Sequence, residues 1–363
     1  MASAFATILV AGLYCLLSAV ILFRVQETTD PVLAARIQER EGGLYGPAHD
    51  ADIAAYKLER YALRRPDILI VGSARLAALP GEAFSAAAFN AAGAVDSVEQ
   101  LSRFVRTALA LHAPKSILIG LDYWWFHPDA AKGPVRDTET SSLARQLIDP
   151  LLWLVTAKIS VGEFLQGVLP MGATGGVGAL AILDGQGWDA YGRYEGGRSG
   201  PVGASAPQLA QDLHVGPSSD ALQQLGALLA ELDKRQVEVV LMVPPTSSSW
   251  RNAIAKDPAN RLMPLWLDAL RSLGQPIFNF EDAAALGATD CELINDVSGG
   301  EVFYLRALDA IGNYGGTALS QGLDRDLISS LVSSNANNVR IVELLPPDAP
   351  ADAQVRSGCR KDM

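Results

Sequence analysis

The sequence predicts a three-layer α/β/α domain on a parallel sheet, with one apolar N-terminal helix and a mid-chain insertion. Three observations carry this reading. Short apolar runs closed by glycine alternate with amphipathic stretches, residues 2–23 contain no charge, and residues 131–217 interrupt the alternation with a Gly-rich stretch. At 363 residues, 49% hydrophobic and with a mean hydropathy of +0.17, the chain is too apolar for disorder and long enough for a large core.

As a helix, residues 2–23 would rise roughly 33 Å, enough to cross a hydrocarbon core of about 30 Å. Arg24 closes the run. A cleaved signal peptide needs a basic start, a shorter apolar core and a small-x-small cleavage site, so an uncleaved single-pass anchor over residues 1–24 fits better. Residues 25–66 read as a linker or helical stalk. Within them Ala54, Leu58 and Tyr61, widened by Ile53, Tyr56 and Leu63, form one helical face that Pro66 ends.

The α/β domain is expected over residues 67–345. Asp67–Val71 is a buried parallel strand stopped by Gly72, and Ala88–Asn90 is a second, ended by Gly93. Asp96 with Glu99 and Ser97 with Gln100 make overlapping capping boxes for a helix whose stripe is Val98, Leu101, Val105 and Leu109. Ser116–Leu121 is a third strand. Inside the insertion at 131–217, one apolar helical stretch is expected around Leu147–Leu169. Alternation then resumes with a helix at Asp220–Arg235, a strand at Val237–Val243, a helix at Met263–Leu273 and a strand at Pro276–Phe280. A helix at Glu301–Ile311 ends at Gly312, and residues 346–363 read as a disordered tail.

Composition narrows the function. Twenty-nine Lys+Arg against forty Asp+Glu give a net charge of −11 without a basic block, which excludes a nucleic-acid binder. The cysteines, at 15, 291 and 359, exclude a disulfide framework or a Cys-rich zinc site, and nothing in their spacing suggests a bridge. No phosphate-binding loop, dinucleotide fingerprint or His-Glu-x-x-His occurs, so no cofactor and no metal are expected. The Gly-rich run at 172–178 has no clear strand before it and no lysine after it. Glu281 and Asp282 read as a solvated pair on an exposed turn.

In a parallel sheet, ligands bind beyond the carboxyl ends of the strands. There the sequence places Gly72-Ser73-Ala74-Arg75, then Gly93, then Asp122-Tyr123-Trp124-Trp125-Phe126-His127. Arg75 and Asp122 are of opposite charge, and pairing them would use both structurally. The aromatic run either pins the insertion onto the sheet or walls a pocket for a sugar or acyl group through Trp124 and Trp125.

These turns carry a resemblance. Residues 67–75 (Asp-Ile-Leu-Ile-Val-Gly-Ser-Ala-Arg), then Phe89–Gly93 and Ile119–Phe126, resemble the SGNH/GDSL hydrolase superfamily over roughly residues 50–315. The similarity is to its membrane-anchored branch, which includes proteins of cell-surface polysaccharide O-acetylation and teichoic-acid D-alanylation. The resemblance implies a flavodoxin-like, SGNH-type sheet. Members of the branch read Gly-Ser-Ser-Arg, with the second serine as nucleophile, and carry a later Asp-x-x-His. Here Ala74 stands at the nucleophile, Asn295 at the acid and Ser298 at the base. Alanine cannot attack a carbonyl and serine is no base near neutral pH. Ser73 and His127 are the fallback nucleophile and base. The N–H groups of Ala74 and Gly93 are candidates for an anion-binding nest, while Asp122 replaces a donating Asn and would repel an oxyanion.

Three functional readings follow. The first is a non-catalytic, membrane-anchored accessory or scaffold subunit, whose partners are integral membrane proteins of the same complex. The second is a polysaccharide O-acyl transferase or esterase component acting with a membrane acyltransferase. The third is a carbohydrate- or lipid-binding module using Trp124 and Trp125, with cell-surface polysaccharide as its partner. The expected location is the inner (cytoplasmic) membrane. The resemblance implies a periplasmic main domain, whereas Arg24, Arg36 and Arg40 after the span favour the cytoplasmic side, diluted by Glu27 and Asp30.

Overall fold

The computed structural model describes residues 2–49, 51–130, 148–150, 152–153, 155–156, 176–196 and 213–344. The chain divides into two compact units, Met1–Glu59 with Val135–Ala190, and Arg60–Pro134 with Tyr191–Met363. The boundaries differ from the sequence expectation. Much of the stretch read as a stalk shares a unit with part of the insertion, because two-residue strands from each pair in parallel, Leu44 with Gly176 and Tyr45 with Val177. Such short strands carry no readable period.

The larger unit is built on five parallel strands: β1 (Ile68–Val71), β2 (Ala88–Asn90), β3 (Ser116–Gly120), β4 (Glu238–Val243) and β5 (Ile277–Asn279). Their spatial order is β2-β1-β3-β4-β5. This doubly wound order reverses direction at β1, so the crevice between β1 and β3 is its switch point. Registers run Ile70 against Leu118 and Leu118 against Val240. Every residue of β1 and β3 is buried, as their unbroken apolar runs predict. The helix Val98–Leu111 starts at Ser97, whose hydroxyl accepts the Gln100 N–H at 3.2 Å, while Gln100 Oε1 accepts the Asp96 N–H at 2.8 Å. Ser97 therefore caps the helix but the box is not closed, since Gln100 reaches the Asp96 N–H and not that of Ser97, and Glu99 instead meets Arg103 at 2.7 Å. This helix packs on the helix Ser219–Lys234, where Arg106 reaches Glu231 at 2.9 Å.

The helix from Glu301 does not stop at Gly312 but runs to Tyr314. Gly312 faces Leu323 so closely that an added Cβ would lie 3.3 Å from it, which makes it a packing glycine. Gly315, at φ +69°, ends the helix. The helix Arg325–Asn335, capped by Asp324, packs against it and has no counterpart among the sequence-read elements.

The smaller unit opens with α1 (Ala2–Arg24), followed by the helix Pro31–Glu41, whose Asp30 cap accepts the N–H groups of Val32 and Leu33. Among the described residues no helix is long and apolar enough to cross a membrane. Gln38 donates to the carbonyls of Gly43 and Trp188 at 2.8 and 2.7 Å and accepts the Tyr56 hydroxyl at 2.5 Å. The base of α1 is packed by Ile21 and Val25 against Ala179 and Ile182, with Leu17, Ala48, Trp153 and Leu183 around them. Glu27 ties that base down. Its carboxylate accepts the N–H groups of Ala48, His49 and Ala179, each at 2.8 Å, and meets His49 Nδ1 at 3.1 Å.

The rest of the expected insertion, most of the helical stretch at 147–169 and the tail at 346–363 lie outside the described residues. Of the cysteines, Cys15 is free and exposed and Cys291 is disulfide-bonded, a bridge that spacing does not suggest.

His49 makes the smaller unit sensitive to pH. Burial opposes charging of the ring, but the hydrogen bond and charge of Glu27 and the Asp149 carboxylate at 3.4 Å outweigh it and raise its pKa. A raised histidine stabilises the fold fully below its ordinary value of 6.5, and the gain is lost as pH rises through the raised value. Thermal unfolding of wild type and His49→Phe should therefore differ most at about pH 5 and converge by about pH 9.

Candidate functional site

The carboxyl end of the sheet is shaped by backbone crowding. Strand β1 ends at Val71, and a Cβ on Gly72 would lie 3.1 Å from the Gly120 carbonyl at the end of β3. Ser73 then caps a short 3-10 turn, Ala74–Leu76, by accepting the Arg75 N–H at 3.3 Å. This turn delivers the Arg75 side chain into the switch point.

Arg75 is 3% exposed and Asp122, at the end of β3, 1% exposed. Arg75 Nη1 donates to Asp122 Oδ1 at 2.6 Å, and Nη2 donates to the Pro244 and Pro245 carbonyls at 3.0 and 2.7 Å. Nε donates to the Val297 carbonyl. Its own carbonyl accepts the Tyr304 hydroxyl at 2.6 Å. The guanidinium also lies 5.1 Å from the centre of the Trp124 ring. Four of the five N–H donors of Arg75 are thus spent on protein acceptors.

The C-terminal block forms an antiparallel pair of strands, β6 (Leu293–Asn295) and β7 (Ser298–Gly299), with Asn295 opposite Ser298. Strand β7 packs on the Ala74–Leu76 turn, so Ala74 and Ser298 lie on the same end of the sheet. Asn295 Oδ1 accepts the Val297 N–H at 3.0 Å and shapes this turn. A Cβ on Gly300 would come within 2.4 Å of the Val339 carbonyl, so the helix Glu301–Tyr314 starts from a glycine for lack of space. Ser298 Oγ and Asp122 Oδ2 are buried without a hydrogen-bond partner among the described residues.

Three expected features are not assembled. Gly93 cannot serve the nest, because its N–H donates to the Gly72 carbonyl at 3.0 Å. His127 is buried, and its Nδ1 accepts the Asp129 N–H at 3.1 Å, a local turn contact. Trp125 is 3% exposed and lines no open wall. Tyr123 meets buried Trp266 edge-on at 6.4 Å and Phe126 meets it tilted at 5.7 Å, leaving Trp124 the partly exposed ring of the run. The aromatic run is mainly core.

Glu281 corrects the reading of a solvated pair. It is partly buried, and burial raises its pKa above the ordinary carboxylate range against the opposing charges of Arg75 and Arg251. Asp282 instead caps a 3-10 turn and pairs with Arg251 at 2.7 Å. Sequence reasoning also missed two buried carboxylates that order the C-terminal block. Glu292 binds Arg306 through both oxygens at 2.9 and 3.0 Å, and Glu301 holds Arg340 at 3.0 Å and the Ile341 N–H at 2.8 Å. Each is paired by a residue distant in the chain, so no local pattern announces it.

No group of three or more metal-ligating side chains occurs among the described residues. The chain matches no family model and no curated protein.

Arg75→Met should destabilise the fold by about 3–5 kcal/mol, since it leaves Asp122 buried and uncompensated, and adding Asp122→Asn should recover part of the loss. Ser298→Ala removes a hydroxyl that has no partner and should shift stability by less than about 1 kcal/mol. Denaturant midpoints of the four proteins check both statements.

Proposed function

We propose that this chain is a membrane-anchored, non-catalytic accessory or scaffold subunit built on a three-layer, SGNH-type α/β domain, working beside integral membrane proteins of one complex. The observation that carries the reading is the occupation of the switch point by Arg75. Acyl transfer needs a nucleophile, a base and oxyanion donors within reach of one another. Here Ala74 and Ser298 stand at the first two positions, the Gly93 N–H is engaged, and Asp122 presents an acceptor where an oxyanion needs donors. The strand order supports the fold part of the proposal.

The exposed side chains of Phe5, Leu9, Leu13, Leu16 and Phe23 along α1 support anchorage in lipid. The disulfide at Cys291 supports an oxidising compartment, hence the periplasmic side for the main domain. The carbohydrate-binding reading draws less support, since Trp125 is buried and Trp124 lies beside Arg75.

The purified full-length chain should not turn over activated acetyl esters above background, and Ser73→Ala should change nothing. Turnover lost in Ser73→Ala or His127→Ala would replace the proposal with a rearranged acyl-transfer site. A reporter fused after Met363 should be active only on the periplasmic side, and cytoplasmic activity would reverse the orientation.

A further inference from the structure

The smaller unit carries a second apolar surface beside α1. Residues 148–150, 152–153 and 155 are helical. Ile148, Leu152 and Val155 are 50%, 49% and 81% exposed. Their i, i+4, i+7 spacing sets them on one stripe. The inward side is held by polar and aromatic contacts: Asp149 lies 3.4 Å from His49 Nε2, and the Trp153 ring lies 6.3 Å from the His49 ring. Trp153 also packs on the cluster of Ile21, Val25, Ala179 and Ile182 at the base of α1. The segment is thus amphipathic in the inverted sense, with its ionisable group turned into the protein and its aliphatic side chains turned outward.

We infer that the stripe Ile148–Leu152–Val155 is a lipid-contact surface that dips into the membrane interface beside α1. The inference rests on the reading of α1 as an anchor. Position argues for lipid as the occupant. Ile21 lies roughly 5 Å from the end of a helix about 34 Å long and Val25 just beyond that end, so the segment carrying Trp153 sits near the level where an inserted α1 would leave the hydrocarbon. Apolar exposure on α1 itself reaches Phe23, 75% exposed, at this same level. The two apolar surfaces are therefore continuous in depth. Trp153 at the junction suits a headgroup boundary, where indole rings concentrate. Tying Asp149 to His49 keeps its carboxylate out of that boundary.

Spin labelling of the full-length chain in phospholipid vesicles tests this. In a Cys15→Ser background, Leu152→Cys and Val155→Cys carry a nitroxide in turn, and Leu9→Cys reports on α1. All three replaced side chains are exposed, so the fold should tolerate the label. The expected result is collision with dissolved oxygen exceeding collision with a water-soluble nickel complex at positions 9, 152 and 155. Lipid exposure at 9 with nickel access at 152 and 155 in vesicles overturns the inference and leaves the anchor standing. Nickel access at all three positions overturns both. Shielding from both reagents at 152 and 155 overturns lipid contact in favour of a protein partner on the stripe.

Discussion

One buried ion pair organises the functional end of the sheet. Desolvating a guanidinium and a carboxylate together costs several kcal/mol per ion unless the geometry is close and the remaining donors are satisfied. Arg75 meets that condition through carbonyls. Pro244 and Pro245 follow β4, and the absence of an N–H on proline ends the ladder there and leaves carbonyls facing the switch point. The Val297 carbonyl comes from the turn before β7 and the Tyr304 hydroxyl from the helix that follows. A single side chain thus joins β1, β3, β4 and the C-terminal block. In a doubly wound sheet this crevice is where ligand chemistry normally resides. Here Arg75 occupies it, with four of its five N–H donors spent on protein acceptors.

Much of the sheet was legible because its physics is local. Buried parallel strands must be apolar on both faces, and Ile68–Val71 and Ser116–Gly120 advertise that without help from neighbours. The turn residues were legible for the same reason, and the opposite charges of Arg75 and Asp122 pointed to their pairing. The carbonyl partners of Arg75 were not, because any residue supplies a carbonyl and only the fold aims it. Gly93 shows the limit from the other side. A glycine with an exposed N–H and one whose N–H closes onto Gly72 look identical in sequence.

The smaller unit was the least legible part. Its sheet joins Leu44–Tyr45 to Gly176–Val177 and Gly187–Trp188 through pairings of one or two residues. No period of two can be read from elements that short, so a stalk and an insertion were the natural reading of segments far apart in the chain. What holds them is non-local and polar. Glu27 binds N–H groups at positions 48, 49 and 179, and Gln38 bridges to Trp188.

Glu27 also explains why the base of α1 is rigid rather than a free tether. A flexible linker after an anchor would let the following domain tumble, and nothing in its composition would need to satisfy buried backbone donors. Here three residues beyond Arg24 the chain places a carboxylate, 5% exposed, that accepts three backbone N–H bonds and a histidine. Removing it would leave those donors buried and unpaired, each at a cost of roughly 1–3 kcal/mol. The end of α1 is therefore part of the core of its unit, packed by Ile21 and Val25 and locked by Glu27. Such a base transmits the orientation of α1 directly to the residues packed around it.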